Sequence, residues 1–340
     1  MKFQQLGKSG IFVSDLCLGT MIFGETEGRG TSEDVAIKMI HQYLDAGGNH
    51  VDTANAYAGG RSEEITAKAL ADRRQHVILA TKYNFPLEQG PNNFGASRWN
   101  LIQTLEGSLK RLQTDYIDLL YIHCWDPYTP VEEMMRSLDD VVRQGKVRYI
   151  GVSNFKAWQV MKAQGIAEMR GYVSFVAAQY QYSLVKRDIE YEFLDLLESE
   201  GLGLCPWGPL GGGFLSGKYH PNQKPTDLSE GRIGGMSDMN EESWERRNTA
   251  QNWATLEVVE EIAQARGASH AQVALAWLRG KSFVSSVILG ARTPEQLAQN
   301  LEAGNMDLTA EEMRKLDEAS ALPELYPYRM IEAYGRKWPK

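Results

Sequence analysis

Three short stretches decide how this chain folds: NHVDTANAY (residues 49–57), HVILATKY (residues 76–83) and IDLLYIHCW (residues 117–125). Each is a run of apolar, mostly β-branched or leucine residues with polar side chains at or just beyond its end. Asp52 and Tyr57 belong to the first stretch, Lys82 to the second and His123 to the third. If the runs are consecutive parallel strands, these four side chains lie at one edge of one sheet, where α/β barrels hold their catalytic groups.

Apolar runs of strand length recur along the chain at residues 16–18, 50–52, 77–80, 117–122, 147–152, 173–179, 202–206 and 284–289. Such continuous apolar runs are typical of parallel strands that are buried on both faces. The segments between them have helical periodicity, most clearly at residues 131–142, where the apolar side chains form one stripe. This alternation predicts a (β/α)8 TIM barrel, and because no composition break divides the chain we expect one domain over residues 1–340.

Two segments depart from the alternation of strands and helices. Residues 208–251, after the seventh run, are rich in Gly, Pro, Asn and charged residues and are longer than an ordinary connection in a barrel. The tail at residues 321–340 carries several aromatic residues and prolines. Because barrel loops vary while the scaffold persists, we expect both segments to contribute to substrate binding.

Composition limits the kinds of partner. The formal net charge of −8 argues against nucleic acid and anionic lipid, which require clustered Lys and Arg. No apolar run approaches the roughly 18 residues that span a bilayer, and the start MKFQQLGKSG lacks the apolar region of a secretory signal. Cys17, Cys124 and Cys205 show no metal-ligand spacing and lie in or beside apolar runs. We therefore expect a cytoplasmic protein with reduced thiols, no metal site and a small-molecule partner.

The order and wording of the motifs resemble the aldo-keto reductase family, from about Phe3 to about Leu322. Members of that family carry an Asp, Tyr, Lys and His tetrad on a (β/α)8 barrel. The resemblance therefore implies a nicotinamide-dependent carbonyl reductase with Asp52, Tyr57, Lys82 and His123 as its catalytic residues.

The chemistry of these four residues supports the same interpretation. Carbonyl reduction requires a hydride from one side and a proton for the oxygen from the other. Tyr57 is a poor acid at an ordinary pKa near 10, but the Lys82 ammonium favours the tyrosinate, and Asp52 holds Lys82 in place. His123 can donate a hydrogen bond to the substrate oxygen. Taken singly, each residue also has a structural explanation, such as a helix cap for Asp52; their joint occurrence on consecutive strands favours catalysis.

Residues after the fifth, sixth and seventh runs suit the nicotinamide end of a cofactor. Ser153 and Asn154 end the segment GVSNF, and Gln179 ends the sixth run. An amide that both donates and accepts is suited to recognise the nicotinamide carboxamide, although family members commonly have Asn where this chain has Ala178. By resemblance, Trp207 stacks on the nicotinamide ring. The contacts expected by resemblance at this end also include Gly19, Thr20, Met21 and Asp52.

Two later segments suit the phosphates. The run GPLGGGFLSG at residues 208–217 lacks the GxGxxG spacing of a dinucleotide fingerprint, and we expect its small residues to let backbone amides approach a pyrophosphate. The residues expected there are Gly208, Pro209, Leu210, Gly211, Gly212, Lys218 and, as a clamp on position alone, Arg232. After the eighth run the expected contacts are Gly290, Ala291, Arg292, Gln296 and Asn300. Arg292 next to a 2′-phosphate favours NADP(H), and NAD(H) is the alternative if this guanidinium only stacks on adenine.

Two functions remain open at this stage. The wording of residues 123–155 and 322–328 favours an aryl-alcohol dehydrogenase-like reductase of aldehydes or ketones. Potassium-channel β subunits share the barrel and the cofactor site, but they carry Asn where this chain has His123, so the enzyme is favoured over a cofactor-binding regulatory subunit. The expected substrate pocket comprises Phe23, Tyr57, His123 and Trp125, which suits a ring, an alkyl chain or a sugar equally. A homo-oligomer is compatible with the sequence.

Overall fold

The computed structural model describes residues 1–25, 28, 30–227, 231–235, 237 and 240–335. Its strands are β1 (Phe3–Gln5), β2 (Phe12–Ser14), β3 (Leu16–Gly19), β4 (His50–Asp52), β5 (Ile78–Tyr83), β6 (Ile117–Ile122), β7 (Val147–Ser153), β8 (Phe175–Gln179), β9 (Gly203–Leu204) and β10 (Val287–Leu289). The eight predicted strands correspond to β3–β10, with shorter bounds for the runs at 173–179, 202–206 and 284–289.

Helices alternate with the strands. They are α1 (Glu33–Asp45), α2 (Arg61–Leu70), α3 (Arg98–Leu112), α4 (Val131–Arg143), α5 (Ala157–Arg170), α6 (Phe193–Glu200), α7 (Trp244–Arg247), α8 (Ala250–Arg266), α9 (His270–Arg279), α10 (Pro294–Leu301), α11 (Ala310–Ala319) and α12 (Tyr328–Tyr334). The apolar stripe predicted for α4 is buried against the sheet. No helix in the described part of the chain is long and apolar enough to cross a membrane.

Strands β3–β10 form one parallel sheet in the order β10-β3-β4-β5-β6-β7-β8-β9. The two ends of the sheet meet through residues just before and within β10. Leu204 N donates to Phe283 O at 3.0 Å, Ser285 N donates to Leu204 O at 2.8 Å, and Ile288 N donates to Pro206 O at 3.0 Å. These hydrogen bonds close the sheet on itself, so the predicted (β/α)8 barrel is confirmed.

An N-terminal hairpin, which the sequence analysis did not predict, covers the amino-terminal end of the barrel. Strands β1 and β2 pair antiparallel, and the turn between them is tied to the barrel by Lys8 N, which donates to Gly201 O at 2.7 Å. Leu6 and Val13 pack with Cys17, Cys205 and other side chains inside the barrel. In the described part of the chain, the hairpin therefore closes the amino-terminal end of the barrel, and the carboxyl-terminal edge of the sheet is the end that can hold a site.

The two irregular segments take different courses. The segment predicted at 208–251 follows β9, contains 3-10 turns at 211–216 and 232–235 and α7, and ends where α8 begins at Ala250. The tail contacts the connection between β8 and α6: the Tyr191 and Tyr328 rings stack at 5.0 Å, and Tyr328 Oη donates to Glu192 Oε1 at 3.0 Å. Residues 336–340 of the predicted tail lie outside the described residues.

Candidate active site

Adjacent strand ends bring the predicted tetrad together. Asp52 is the last residue of β4, Lys82 lies one residue before the end of β5, and His123 follows β6 directly. The parallel register fixes their heights, because Lys82 lies opposite Tyr121 and His123 N donates to Tyr83 O at 2.9 Å. Tyr57 does not lie at a strand end; it begins a tight turn at residues 57–60 that leads into α2.

The Lys82 ammonium is the centre of the hydrogen-bond network. Its Nζ donates to Asp52 Oδ2 at 2.6 Å, to the Thr53 carbonyl at 2.8 Å and to Tyr57 Oη at 3.1 Å. Lys82 is 0% exposed, so this charge is fully removed from water and needs these partners. The other carboxylate oxygen, Asp52 Oδ1, accepts from Gln179 Nε2 at 2.8 Å. Both oxygens of the carboxylate therefore have a donor.

His123 lies beside Tyr57 on the cleft side of the network. The two rings meet edge to face with centroids 6.0 Å apart, and the Phe85 ring lies 4.5 Å from the imidazole. Nδ1 of His123 is buried and has no hydrogen-bond partner in the described part of the chain. The imidazole is therefore held by packing and by its backbone, and His123 lines the cleft.

Burial and the Lys82 charge determine the protonation of these groups. Burial raises the pKa of Tyr57, and the opposing effect of the Lys82 ammonium does not cancel it. Burial lowers the pKa of Lys82, but Asp52 and Tyr57 together outweigh it, so this pKa is raised. Burial, and then the Lys82 charge, lower the pKa of His123 well below its ordinary value. At neutral pH the site therefore contains a protonated tyrosine, an ammonium ion and a neutral imidazole. The predicted effect of Lys82 on Tyr57 is present in direction, while the net pKa of Tyr57 is raised.

A cleft of about 760 Å³ opens at this edge of the barrel, within the range of small-molecule and cofactor sites. Most of the predicted site residues line it: Gly19, Met21, Asp52, Tyr57, His123, Ser153, Asn154, Gln179, Trp207, Gly208, Pro209, Leu210, Gly212, Lys218, Arg232, Gly290, Ala291, Arg292, Gln296 and Asn300. The tetrad lies at one end, and the residues after β10 lie at the other.

Four predicted contacts do not line the cleft. Phe23 is 0% exposed and packs in the core, so it is not a substrate-pocket residue. Trp125 packs edge to face against Phe155 at 5.0 Å and against Trp158 at 6.0 Å. Thr20 is buried, and its hydroxyl donates to Asp52 O at 3.1 Å, which supports the strand ends instead. Gly211 is buried beneath its neighbours. None of the described residues of the tail lines the cleft either.

The residues predicted to contact the nicotinamide form several hydrogen bonds within the protein. Asn154 Nδ2 donates to His123 O at 2.8 Å and to Ser153 Oγ at 3.0 Å, and Ser153 Oγ donates to Gln179 O at 2.7 Å. Asn154 adopts a left-handed conformation (φ 56°), which an asparagine tolerates better than most residues. These bonds link the ends of β6, β7 and β8, and among the described residues none of them engages the side-chain amide oxygens of Asn154 and Gln179.

Two cations, Lys218 and Arg292, line the far end of the cleft. Neither Lys218 nor Arg292 has a carboxylate within salt-bridge distance among the described residues, and Lys218 Nζ lies 4.9 Å from the Tyr219 ring centroid. Burial and the neighbouring Arg292 guanidinium lower the pKa of Lys218. Gln296 Oε1 accepts from Arg292 N at 2.9 Å, and Thr293 caps α10 through Gln296 N. Two cations beside a capped helix start suit a phosphate-bearing ligand.

The third predicted cation of the cleft is already paired. Arg232 Nε lies 2.8 Å from Glu242 Oε2, and this carboxylate is buried. Glu242 also lies against Gly208, which has a left-handed backbone (φ 64°) and where a Cβ would be 2.9 Å from Glu242 Oε1. The pair therefore fixes the wall behind the glycine-rich segment, and Arg232 is less free to bind an anion than Lys218 or Arg292.

The model of the aldo/keto reductase family matches residues 15–321. This chain belongs to the aldo-keto reductase family. It is 36% identical to the uncharacterized oxidoreductase YrpG of Bacillus subtilis over 96% of this chain and 100% of the relative. It is 34% identical to an aryl-alcohol dehydrogenase of Pestalotiopsis microspora, over 94% and 82% of the two chains. A probable voltage-gated potassium channel subunit beta of rice is 37% identical over 89% and 91%. The chain is therefore an oxidoreductase of this family, as the resemblance implied.

Sequence reasoning missed some residues of the site in this aldo-keto reductase. Ile22, Ala56 and Phe85 line the cleft near the tetrad. Phe85 was missed because it lies in the irregular connection after β5, where no period marks which side chains turn inward. Its proximity in sequence to Lys82, only three positions away, was the available signal.

Proposed function

We propose that this chain is an NADP(H)-dependent oxidoreductase that interconverts an aldehyde or ketone and the corresponding alcohol, with Tyr57 as the proton donor for reduction. One observation carries the proposal: the buried Lys82 ammonium contacts both the Asp52 carboxylate and the Tyr57 hydroxyl. A protonated tyrosine beside an ammonium ion can release its proton to an oxygen, because the positive charge stabilises the tyrosinate that remains.

The other residues have distinct roles in this proposal. The bound nicotinamide cofactor supplies the hydride. His123 is neutral and lies beside Tyr57, so its N–H can orient the substrate oxygen. The amide oxygens of Asn154 and Gln179 suit the carboxamide, and Trp207 provides an aromatic face. Arg292 and Lys218 suit a phosphate at the far end, which favours NADP(H) over NAD(H).

The substrate end of the cleft favours an aryl carbonyl compound. The Phe85 ring packs on His123, and the Phe94 ring lies 5.9 Å from Phe85. The Phe85 ring, which lines the cleft next to the imidazole, suits a flat ring attached to the reacting carbonyl. The relative named aryl-alcohol dehydrogenase supports this class.

A substrate panel tests the proposal. Aromatic and aliphatic aldehydes, ketones, sugars and secondary alcohols are offered with NADPH, NADH and their oxidised forms, and nicotinamide absorbance is followed. We expect turnover with NADPH and aryl carbonyls. Tight NADPH binding without turnover of any compound would favour a cofactor-binding regulatory subunit; the rice relative is named a potassium channel subunit beta.

Replacing the proposed donor gives the sharper test. Tyr57→Phe should lower turnover by roughly 10²–10⁴ and leave NADPH affinity nearly unchanged, because only the hydroxyl that transfers the proton is lost. Tyr128→Phe is the matched control, since Tyr128 is 93% exposed. Wild-type turnover in Tyr57→Phe, with a deuterium isotope effect that shows hydride transfer to be rate-limiting, would contradict the assignment.

A further inference from the structure

The turn that carries Tyr57 is conformationally unfavourable by itself. Ala58 (φ 48°), Gly59 (φ 63°) and Gly60 (φ 92°) are three consecutive residues with left-handed backbone. For Ala58 this conformation is unfavourable, because its Cβ approaches the following carbonyl. A turn of this kind keeps one geometry only when its surroundings hold it. The surroundings of residues 57–60 therefore bear directly on where the Tyr57 hydroxyl lies.

A buried carboxylate holds the downstream end of this turn. Glu63 lies three positions after Gly60, in the first turn of α2, and is 0% exposed. Its Oε1 accepts from Thr81 Oγ1 at 2.6 Å, and its Oε2 accepts from Arg111 Nε at 2.7 Å. Thr81 immediately precedes Lys82 on β5. Glu63 thus ties the segment after Tyr57 to the strand that carries the partner of Tyr57.

The Arg111 side chain packs directly against the same turn. A Cβ at Gly60 would lie 2.9 Å from Arg111 Cδ, and a Cβ at Gly107 would lie 3.0 Å from Arg111 Nη1. The two glycines therefore provide the room in which the guanidinium reaches Glu63. The contact with Gly60 means that Arg111 fixes the last residue of the turn as well as the carboxylate.

The buried Glu63–Arg111 pair is better explained by a role in fixing the geometry of the turn than by a contribution to stability. A buried ion pair adds little net stability, because desolvation offsets most of the attraction, but its directional hydrogen bonds specify one arrangement. We propose that Glu63, held by Arg111 and Thr81, is a positioning residue that sets the contact between Tyr57 and Lys82. This inference rests on the proposed role of Tyr57 in proton transfer.

Kinetics of matched variants test the inference. Glu63→Gln keeps the size of the side chain but removes the charge, and we expect kcat to fall on the order of 10- to 100-fold, as for a catalytic group displaced by a fraction of an ångström to 1 Å. KM and NADPH affinity should change little, because the cleft walls remain. Arg111→Met should behave similarly, and Arg111→Lys, which keeps a positive charge, should recover part of the loss. If Glu63→Gln does not fold, Thr81→Val removes a single hydrogen bond of the network and should give a smaller fall in kcat.

A second buried ion pair provides the control. Asp15 lies immediately before β3, at the opposite end of the barrel, and Arg279 is the last residue of α9. The two side chains are each 4% exposed, and their charged groups are 2.6 Å apart. Asp15→Asn should lower stability but leave kcat unchanged. Glu63→Gln and Arg111→Met could instead keep the wild-type kcat and lose only as much stability as Asp15→Asn does. That result would show that the role of Glu63 is structural.

A measurement that needs no turnover separates this inference from the proposed function. In protein labelled with ¹³C at the ζ carbon of tyrosine, the Tyr57 resonance is the one absent from Tyr57→Phe. It should shift in Glu63→Gln and Arg111→Met but not in Asp15→Asn. An unmoved resonance overturns the positioning role even if the enzyme is active. A shifted resonance in a protein without turnover would leave the positioning intact and remove the proposed function.

Discussion

Removing the Lys82 ammonium should have two separable consequences, one for stability and one for proton transfer. In Lys82→Met the side chain keeps its length but loses the hydrogen bonds to Asp52, Thr53 and Tyr57. Asp52 is 3% exposed and keeps the hydrogen bond from Gln179. Leaving one member of a buried ion pair without its partner costs about 3–5 kcal/mol. We expect a loss of unfolding free energy of that size at neutral pH.

A double variant isolates the source of this loss. Asp52→Asn combined with Lys82→Met removes the orphaned charge, so the double variant should be more stable than Lys82→Met alone. A surface pair provides the control: Lys2 Nζ lies 2.7 Å from Asp307 Oδ2, close to the separation in the buried pair, but the two side chains are 53% and 72% exposed. Lys2→Met should cost only about 0–1 kcal/mol, because water screens the remaining carboxylate.

The effect on proton transfer follows from the sign of the Lys82 contribution. The ammonium lowers the pKa of Tyr57 against the larger effect of burial, so its removal raises that pKa further. In the proposed mechanism, alcohol oxidation requires the Tyr57 tyrosinate as base, so the oxidation rate should rise at a higher pH in Lys82→Met than in the wild type. Carbonyl reduction should slow as well, because the tyrosinate that forms has lost its counter-charge.

Urea unfolding followed by circular dichroism measures the first consequence, and pH profiles of alcohol oxidation measure the second. A stability loss in Lys82→Met no larger than in Lys2→Met would mean that removing Lys82 does not leave a buried, unpaired charge. A pH profile that does not move would show that Tyr57 is not the titrating base. Either result refutes the corresponding half of the reasoning.

Two further predictions concern charge at other positions. Arg292→Ala should weaken NADPH binding by about 1.5–3 kcal/mol, the range for a hydrogen bond to a charged group, and should weaken NADH binding much less. Titrations with both cofactors at several salt concentrations measure these losses. Equal losses for the two cofactors would mean that Arg292 stacks on adenine. His50 is buried, and burial followed by the Lys82 charge lowers its pKa to about 3. Below the unfolded pKa of about 6.5 only the unfolded chain takes up this proton, so the folded state should lose about 2 kcal/mol of stability between pH 6.5 and pH 5. Urea midpoints for His50→Asn should vary less over this pH range than those of the wild type, and identical pH dependence would contradict the prediction.

The barrel was predictable because its strands are buried on both faces. Continuous apolar runs mark such strands without any need for alternation, and the polar residue at each run's end marks the edge of the sheet. This is why Asp52, Lys82 and His123 could be placed together from sequence. Strands β1 and β2 were not predicted, because the residues of β1, FQQ, are all exposed and form no apolar run.

Residues between the strands were predictable only where a motif marks them. Phe23 was expected in the pocket as an aromatic residue that would make it apolar, yet its ring packs into the core next to the bridge that pairs it with Thr31. Glu63 gave no signal at all, because a glutamate in the first turn of a helix ordinarily faces solvent near the positive end of the helix dipole. Only the neighbouring Arg111 and Thr81, which are distant in sequence, make it a buried group.

The pKa of Tyr57 shows why the charge of one nearby residue does not by itself determine the protonation of a catalytic group. From Lys82 alone, the tyrosine is expected to be more acidic than an ordinary phenol; in the folded chain, burial is the larger effect and the pKa is raised. The combination still suits a proton donor. Burial keeps the hydroxyl protonated at neutral pH, and the ammonium at 3.1 Å stabilises the anion that forms once the proton has moved to the substrate oxygen. A tyrosine with Lys82 but without burial would be partly ionised before the substrate bound, and one with burial but without Lys82 would hold its proton too strongly.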